Sequence, residues 1–209
     1  MALEHEYALL GGFNRSHVGR GLAGLAAALS AGVVFLVLSA VDLATTLGLN
    51  VNLPPTFLSL AGAGAVYGFL YWVFDQHAWK IAAVGDLLKV PNLSGDWVCV
   101  GTPLEPPHGP PWNGRVTIIQ SWDRIRVHLS TGQSQSNSIA AALLHDRAIG
   151  YRLMYHYRNE PRPGERDLAP HHGFAELTFA RDQRSATGDY FNGRGRNTFG
   201  TMTLTREVR

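Results

Sequence analysis

Charge is nearly absent from one long segment of the chain. The 54 residues from Gly21 to Phe74 contain a single charged side chain, Asp42. Gly21–Val41 is an uncharged run of 21 residues, which as a helix at about 1.5 Å per residue would span roughly 31 Å. Thr56–Phe74 adds 19 uncharged residues, or roughly 28 Å. Such runs exclude an ordinary soluble surface, and they predict a two-helix transmembrane hairpin over residues 21–74.

The stretch between the two runs contains Gly48 and the pair Pro54–Pro55, which end one helix and allow another to begin. Three other interpretations stay open. The runs could be a buried helical pair of a soluble protein, a cleaved signal peptide, or one span followed by a helix at the membrane interface. A signal peptide is disfavoured because its apolar core is usually roughly 7–15 residues long.

Basic residues flank the two runs and are missing from the loop between them. Arg15 and Arg20 precede the first run, and Lys80 and Lys89 follow the second. The positive-inside rule therefore predicts that both termini lie in the cytoplasm. Residues 1–20 are predicted to be a cytoplasmic N-terminal segment. Residues 75–92 carry a roughly helical apolar stripe and are predicted to form a juxtamembrane linker helix.

Small residues recur along both predicted helices at a spacing of four. They are Gly24, Ala28 and Gly32 on the first helix, and Gly64 and Gly68 on the second. This spacing lets helix backbones approach closely in lipid. Packing between the helices of one chain and packing between chains explain the pattern equally well.

Catalytic and metal-binding patterns are also missing. Cys99 is the only cysteine, so an intrachain disulfide and a Cys-x-x-Cys metal site are excluded. The chain has no P-loop, GxSxG or HExxH pattern, and its nine histidines do not match a metal-ligand spacing. We therefore expect no enzymatic activity, no metal and no cofactor. A small barrel enzyme acting on a membrane substrate stays as a minor alternative.

From residue 93 onward the sequence is typical of β-structure. Short runs with β-branched and aromatic residues alternate with Gly, Pro, Asn and Asp, and several runs alternate apolar and polar residues with period two. A small eight-stranded antiparallel β-barrel over residues 93–209 is predicted, with a β-sandwich as the alternative. The eight predicted strands are Asp96–Thr102, Arg115–Trp122, Arg124–Leu129, Ser138–Leu144, Ala148–Arg158, Gly173–Ala180, Thr187–Asn192 and Thr198–Arg206.

Aromatic and basic residues are concentrated in two stretches of this domain. Residues 94–209 contain 14 Arg and no Lys, and Arg is the better bidentate partner of a phosphate. Tyrosine rings offer a stacking surface for a base, and neighbouring glycines allow a ligand to approach the backbone. The candidate ligand-binding residues are therefore Tyr190, Asn192, Arg194 and Arg196 in one hairpin, with Tyr151, Arg152, Tyr155 and Trp97.

The order of these segments resembles a known family. Two N-terminal helices precede a β-rich domain that opens with Leu93-Ser-Gly-Asp-Trp97 and closes with Gly188-Asp-Tyr-Phe-Asn192 and Gly200-Thr-Met-Thr-Leu-Thr-Arg206. The chain is similar over nearly its whole length to the two-transmembrane, β-strand-rich effectors that are associated with SMODS nucleotidyltransferases in bacterial CBASS antiphage operons. The order of the domains carries most of this resemblance.

The resemblance implies a membrane-anchored receptor and effector in the bacterial inner membrane. Its cytoplasmic barrel would bind a cyclic dinucleotide, after which the protein would form homo-oligomers and disrupt the lipid bilayer. No polymeric nucleic acid is expected as a partner. The alternative is a membrane-tethered, lipocalin-like barrel that carries a small apolar ligand, but arginine-rich hairpins favour the nucleotide.

The predicted orientation can be tested with a reporter fusion. A phosphatase that is active only in the periplasm, fused after Arg209, should show no activity, because the basic flanks keep the C-terminus in the cytoplasm. The same enzyme fused within the loop at residues 48–52 should be active. Strong activity of the C-terminal fusion would contradict the orientation.

Overall fold

The computed structural model describes residues 4–49, 62–104, 109–165, 168–193 and 197–207. The chain divides into two compact units. Phe13–Ala78 forms a helical unit, whereas Met1–Gly12 and Trp79–Arg209 together form a β-rich unit. The first residues of the chain therefore belong to the same unit as its C-terminal part, although the helices separate them in sequence.

Helix α1, Arg15–Thr46, is the longest element of the helical unit. It begins after Asn14, whose side chain accepts a hydrogen bond of 2.8 Å from the Ser16 amide. Its 32 residues span roughly 48 Å. Of the described helices, it is the one long and apolar enough to cross a membrane. It extends beyond the predicted span at both ends, because it begins at the Asn14 cap and ends just before Gly48, whose φ is 80°.

Helix α2, Ala63–Gln76, covers the later part of the second predicted span. Residues 56–61 of that span lie outside the described residues. The two helices pack together through a face of α1 on which Ala26 and Ser30 are buried. Large apolar side chains elsewhere on α1, such as Leu29 and Leu36, are exposed, as a lipid-facing surface requires.

The predicted small-residue faces do not make the contact between α1 and α2. No other described residue lies within 4 Å of the position that a Cβ would take at Gly24, Gly32, Gly64 or Gly68. Ala28 is exposed as well. Packing of these faces within one chain is therefore not observed among the described residues, and packing between chains stays a prediction.

The β-rich unit is a closed barrel in which the eight predicted strands all occur. They run antiparallel in chain order from β2 to β9, and β9 pairs with β2. Their bounds are β2 Gly95–Pro103, β3 Trp112–Gln120, β4 Arg124–Thr131, β5 Ser134–Asp146, β6 Gly150–Pro161, β7 His171–Phe179, β8 Ser185–Gly193 and β9 Phe199–Arg206. In β7 buried and half-buried residues alternate along the whole strand, which is the expected pattern of a barrel wall.

A ninth strand corrects the predicted strand count. Strand β1, His5–Leu10, lies between β4 and β5, antiparallel to the first and parallel to the second. These residues were expected to form part of a cytoplasmic N-terminal segment without a defined role. The stretch is too short to show a period, and its pairing depends on strands more than a hundred residues away.

One end of the barrel is filled by large apolar side chains. Trp97 and Phe179 make an edge-to-face contact there with ring centroids 5.4 Å apart, and Trp122, Val90 and Leu93 are fully buried. We call this the plugged end. It carries the last residues of β1, the start of β2 and the end of β9. The other end, formed by the β2–β3, β4–β5 and β8–β9 connections, is called the open end.

The predicted linker helix over residues 75–92 is divided in the structure. Helix α2 continues to Gln76, a 3₁₀ turn covers Ala78–Lys80, and a separate helix α3 covers Ala82–Leu88. The chain turns back on itself here, since a Cβ at Gly85 would stand only 2.9 Å from the Val90 carbonyl oxygen. Lys89 ends α3 in the left-handed conformation, with φ 59°. A continuous helix could not make this turn.

Candidate functional site

A cavity occupies the open end of the barrel. Its volume is about 210 Å³, somewhat below the roughly 300–1,000 Å³ of typical small-ligand clefts, and it opens to solvent. The inward faces of β3 to β9 and the β4–β5 turn provide the walls. The lining side chains that the following paragraphs use are Trp112, Asn113, Thr131, Ser134, Ser136, Tyr155, Tyr157, Asn159, His171, Tyr190, Asn192 and Thr198.

Strand β6 sets the depth of the cavity. Its inward positions run from Leu153, fully buried in the core, through Tyr155 and Tyr157 to Asn159 near the mouth. Because inward side chains recur every second residue, this order changes the wall from apolar to polar along one strand. Apolar side chains thus fill the barrel toward the plugged end, while hydrogen-bonding groups line it toward the open end.

Three aromatic rings of the cavity each lie over a glycine on the neighbouring strand. The register partners are Trp112 and Gly101, Tyr157 and Gly173, and Tyr190 and Gly200. A Cβ at any of these glycines would collide with the ring or hydroxyl of its partner; at Gly200 it would stand 2.7 Å from the Tyr190 hydroxyl oxygen. Rings that cover strand glycines are held against the sheet, so the cavity wall is stiff.

Hydrogen bonds connect the lining side chains. The Tyr157 hydroxyl donates to Asn192 Oδ1 over 2.7 Å, and Asn192 Nδ2 donates to Thr198 Oγ1 over 2.7 Å. Trp112 Nε1 donates to the Tyr190 hydroxyl over 3.2 Å, and these two rings are 5.8 Å apart in an edge-to-face arrangement. These bonds fix Asn192 and Tyr190 at the mouth, where a ligand would enter.

The described lining residues include no Arg, Lys, Asp or Glu. The ionisable groups among them are His171, whose Nδ1 lies 3.1 Å from the Ala169 carbonyl oxygen, and the tyrosines. Burial raises the pKa of Tyr155 far above its usual range, so its hydroxyl stays protonated at neutral pH. Hydroxyls, amides and aromatic rings thus make up most of the polar lining among the described residues.

Three predicted ligand-binding residues line this cavity: Tyr155, Tyr190 and Asn192. Arg194 and Arg196 lie outside the described residues. They occur in the sequence between Asn192 and Thr198, both of which line the cavity mouth. Their predicted role as phosphate partners stays a prediction.

The other three predicted residues lie elsewhere. Trp97 is fully buried at the plugged end, where it donates from Nε1 to the Leu93 carbonyl oxygen over 3.2 Å, and the Arg206 guanidinium lies 5.0 Å from its ring centroid. Arg152 faces outward and pairs with Glu176 over 2.7 Å. Tyr151 lies beside His145, with ring centroids 5.0 Å apart, at the end of β5. We therefore do not retain these three as ligand contacts.

Trp112, Tyr157, Asn159 and His171 line the cavity but were not among the predicted residues. A sequence signal existed for Tyr157, because it shares the inward parity of Leu153 and Tyr155 on β6. Trp112 and His171 start their strands next to proline-containing loops, where no period is visible. Their place at one cavity is a result of barrel closure.

The only cysteine, Cys99, is a buried free thiol. It is fully buried on the inward face of β2, and burial raises the pKa of its thiol to about 12. A thiol with this pKa is protonated at neutral pH and is therefore a poor nucleophile.

Two family models match separate parts of the chain. One is described as "Cap15, cyclic dinucleotide receptor domain" and matches residues 88–206, and the other is described as "Cap15, TM helices" and matches residues 16–80. A protein named CD-NTase-associated protein 15 from Yersinia aleksiciae is 45% identical over 202 residues, which cover 97% of each chain. The receptor-domain match contains β2 to β9, whereas β1 lies outside both matches.

The ring-over-glycine arrangement gives a testable prediction. Gly173→Ala should lower the free energy of unfolding by about 1–3 kcal/mol, because the new methyl group overlaps the Tyr157 ring and the Phe191 carbonyl oxygen. Gly193→Ala is the matched control, since no described atom lies within 4 Å of its Cβ position. Denaturant unfolding of the full chain in detergent, followed by tryptophan fluorescence, measures both. Equal effects of the two substitutions would contradict the arrangement.

Proposed function

The chain belongs to the Cap15 family, and we propose on that basis that it binds a cyclic dinucleotide in the cavity at the open end of its barrel, then self-associates and disrupts the inner membrane. Membership of this family makes it a membrane-associated effector of a CBASS antiphage system with a cyclic dinucleotide receptor domain. The cavity lined by aromatic, hydroxyl and amide side chains inside the matched receptor domain is the observation that carries the proposal.

The chemistry of the cavity suits a nucleotide. Tyr155, Tyr190 and Trp112 offer ring surfaces against which a base can stack. Asn113, Ser136 and Asn159 offer hydrogen-bonding groups of the kind that read the edge of a base. A purely apolar ligand would strip water from these groups without replacing the lost hydrogen bonds. The lipocalin-like alternative is therefore less favourable.

The phosphates of the ligand require hydrogen-bond donors, and the described cavity wall contains no Arg or Lys. Hydroxyls and amides such as Thr131, Ser134 and Asn192 can donate to phosphate oxygens. Arg194 and Arg196 are the basic residues nearest in sequence to the cavity mouth, and we propose that they provide the charge-assisted bonds.

The family models describe a receptor domain and transmembrane helices, and neither description names a catalytic activity. The protonated thiol of Cys99 is consistent with this assignment. We therefore propose that the protein acts by binding and assembly and that it is not an enzyme.

Assembly is proposed to occur through the open helix faces. Gly24, Gly32, Gly64 and Gly68 have space beside them in the single chain, so helices of neighbouring chains can approach closely there. A ligand drives assembly only if it binds the assembled form better than the single chain. A tenfold preference contributes about 1.4 kcal/mol per site, and this contribution accumulates as chains gather in the membrane. The proposed orientation, with both termini and the barrel in the cytoplasm, places the cavity where the nucleotide is made.

Binding is the first testable consequence. The full chain in detergent micelles should bind a cyclic dinucleotide with a Kd of about 1 µM or lower, which corresponds to about −8 kcal/mol. A thermal-shift panel of cyclic dinucleotides, cyclic trinucleotides and fatty acids measures this. Shifts for fatty acids alone would favour the lipocalin-like alternative.

Side-chain substitutions locate the site. Tyr190→Ala should weaken binding by about 1–3 kcal/mol if its ring stacks on a base, whereas Tyr151→Ala, outside the cavity, should change it little. Arg194→Ala and Arg196→Ala should each cost about 1.5–3 kcal/mol, and Arg181→Ala and Arg184→Ala are their controls. Equal losses at all four arginines would indicate diffuse electrostatics and no defined phosphate site.

Membrane damage should need both the ligand and close helix contact. Cells that co-express the cognate nucleotide synthase should leak ions, whereas cells with either protein alone should not. Ala28→Leu or Gly64→Leu adds bulk on an open face, so each should abolish leakage while nucleotide binding persists. Leu36→Ala, which reduces bulk at an exposed position of α1, is the control. Leakage that survives both leucine substitutions, or that occurs without the synthase, would contradict the proposal.

A further inference from the structure

The barrel wall opens between β4 and β5, and the N-terminal strand occupies the opening. β4 and β5 pair directly only over three residues each, His128–Ser130 with Gln135–Asn137. The register of β5 then shifts between Ser138 and Ala140. From there β1 lies between the two strands, paired with β4 at His5 and Glu6 and with β5 at the next four residues.

Ser138 marks the point at which the two strands separate. Its buried hydroxyl oxygen accepts a hydrogen bond of 2.9 Å from the Val127 amide of β4, in place of a backbone carbonyl of β5. The same oxygen lies 2.7 Å from Nε2 of His5 on β1. The Ser138 hydroxyl therefore bonds to β4 at the point where β4 and β5 separate, and it also contacts His5, the first residue of β1.

Strand β1 is short, with six residues. Its one deeply buried side chain is Tyr7, with 2% of its surface exposed, whereas Leu10 is 44% exposed. The Tyr7 hydroxyl lies 3.3 Å from the Ser121 carbonyl oxygen and accepts from Gln120 Nε2, also over 3.3 Å. Short strands with few buried contacts open more readily than the core of a fold. By contrast, β6 pairs with β5 and β7 along most of its length.

We propose that residues 5–10 are a releasable clasp, a strand bound in the β4–β5 cleft whose departure lets β4 and β5 pair with each other and frees the N-terminus of α1. The eight strands β2 to β9 of the receptor-domain match are consecutive antiparallel neighbours, and β4 and β5 already pair directly beside the gap, so they could extend this pairing once β1 has left. Four residues separate Leu10 from the start of α1 at Arg15. Movement of the clasp is therefore passed directly to a membrane helix.

The same β4–β5 hairpin lines the ligand cavity at its other end. Thr131, Ser134 and Ser136 belong to its directly paired part or its turn, and all three line the cavity. A ligand that draws these residues together favours β4–β5 pairing, and each further pair formed displaces a pair with β1. Ligand and clasp thus compete for the hairpin; this step rests on the proposed ligand site, whereas the clasp itself does not.

Hydrogen exchange of the full chain in detergent, without ligand, tests the clasp. Amides of β1 should exchange at least about tenfold faster than those of β6 and β7, because β1 opens without the rest of the barrel. Tyr7→Ala should accelerate β1 by at least a further factor of about ten and leave β6 and β7 unchanged. Ala8→Ser, at an exposed position of the same strand, is the control. Exchange of β1 at the rate of β6 and β7 would make it a fixed ninth strand and would overturn the proposal.

A reversible cross-link tests the role of release. Ala8 and Ala142 are register partners on the outer face, so Ala8→Cys with Ala142→Cys can tie β1 to β5. Thr178→Cys with Thr187→Cys joins β7 to β8, which stay paired, and is the matched control. The native Cys99 is buried and protonated and does not interfere. The readout is dye release from vesicles that contain the full chain, with an equimolar mixture of cyclic dinucleotides as the probe.

Oxidation should abolish dye release by the clasp variant, reductant should restore it, and nucleotide binding should persist in both states. The control pair should release dye in both states. Equal release by the oxidised and reduced clasp variant would overturn the proposal. If the wild-type chain releases no dye with the nucleotide mixture, the proposed function fails in this assay, and the exchange experiment still decides whether the clasp opens.

Discussion

Pairing of every strand edge is the constraint on which this protein depends. A sheet closes into a barrel only when its first and last edges, and any gap in its wall, find backbone partners. Here β9 closes on β2, and the β4–β5 wall is completed beyond Ser138 by a further strand. The chain takes that strand from its own N-terminus, ahead of α1. The same short segment of the chain therefore both closes the barrel and leads into the membrane helices.

The segment that leads from α3 into β2 is bonded to the same buried side chain as strand β1. Gln120, buried at the end of β3, donates to the Tyr7 hydroxyl of β1 and to the Pro91 carbonyl oxygen, and it accepts from the Leu93 amide. Pro91 and Leu93 belong to the segment that leads from α3 into β2. Both connections between the barrel and the helical unit thus share one buried amide group. Its hydrogen bonds would have to be exchanged for others if either connection moved.

Local sequence patterns predicted most of the fold, and contacts distant in sequence account for the rest. Runs of β-branched and aromatic residues between turn residues located the eight strands β2 to β9, and several of these runs alternate with period two because one face lies in the core. Such patterns could not locate β1, which is six residues long and paired with strands far along the chain. Alternation also left the inward face undetermined, so Arg152 was selected along with Tyr155 although their side chains point to opposite faces. The sequence alone predicts a ligand contact at Trp97, whereas barrel closure buries its side chain at the plugged end.

The three ring-over-glycine pairs restrict how the residues that line this cavity can change during evolution. Each ring occupies space that only a glycine on the next strand leaves free. The ring position and the glycine position are therefore expected to change together. A lineage that replaces Trp112 with a small residue removes the reason for a glycine at position 101, and a side chain at Gly173 is accepted only once Tyr157 has become smaller. Divergence of ligand preference within such barrels should therefore proceed through paired changes on adjacent strands. Polar positions outside these ring-over-glycine pairs, such as Asn113, can change one at a time.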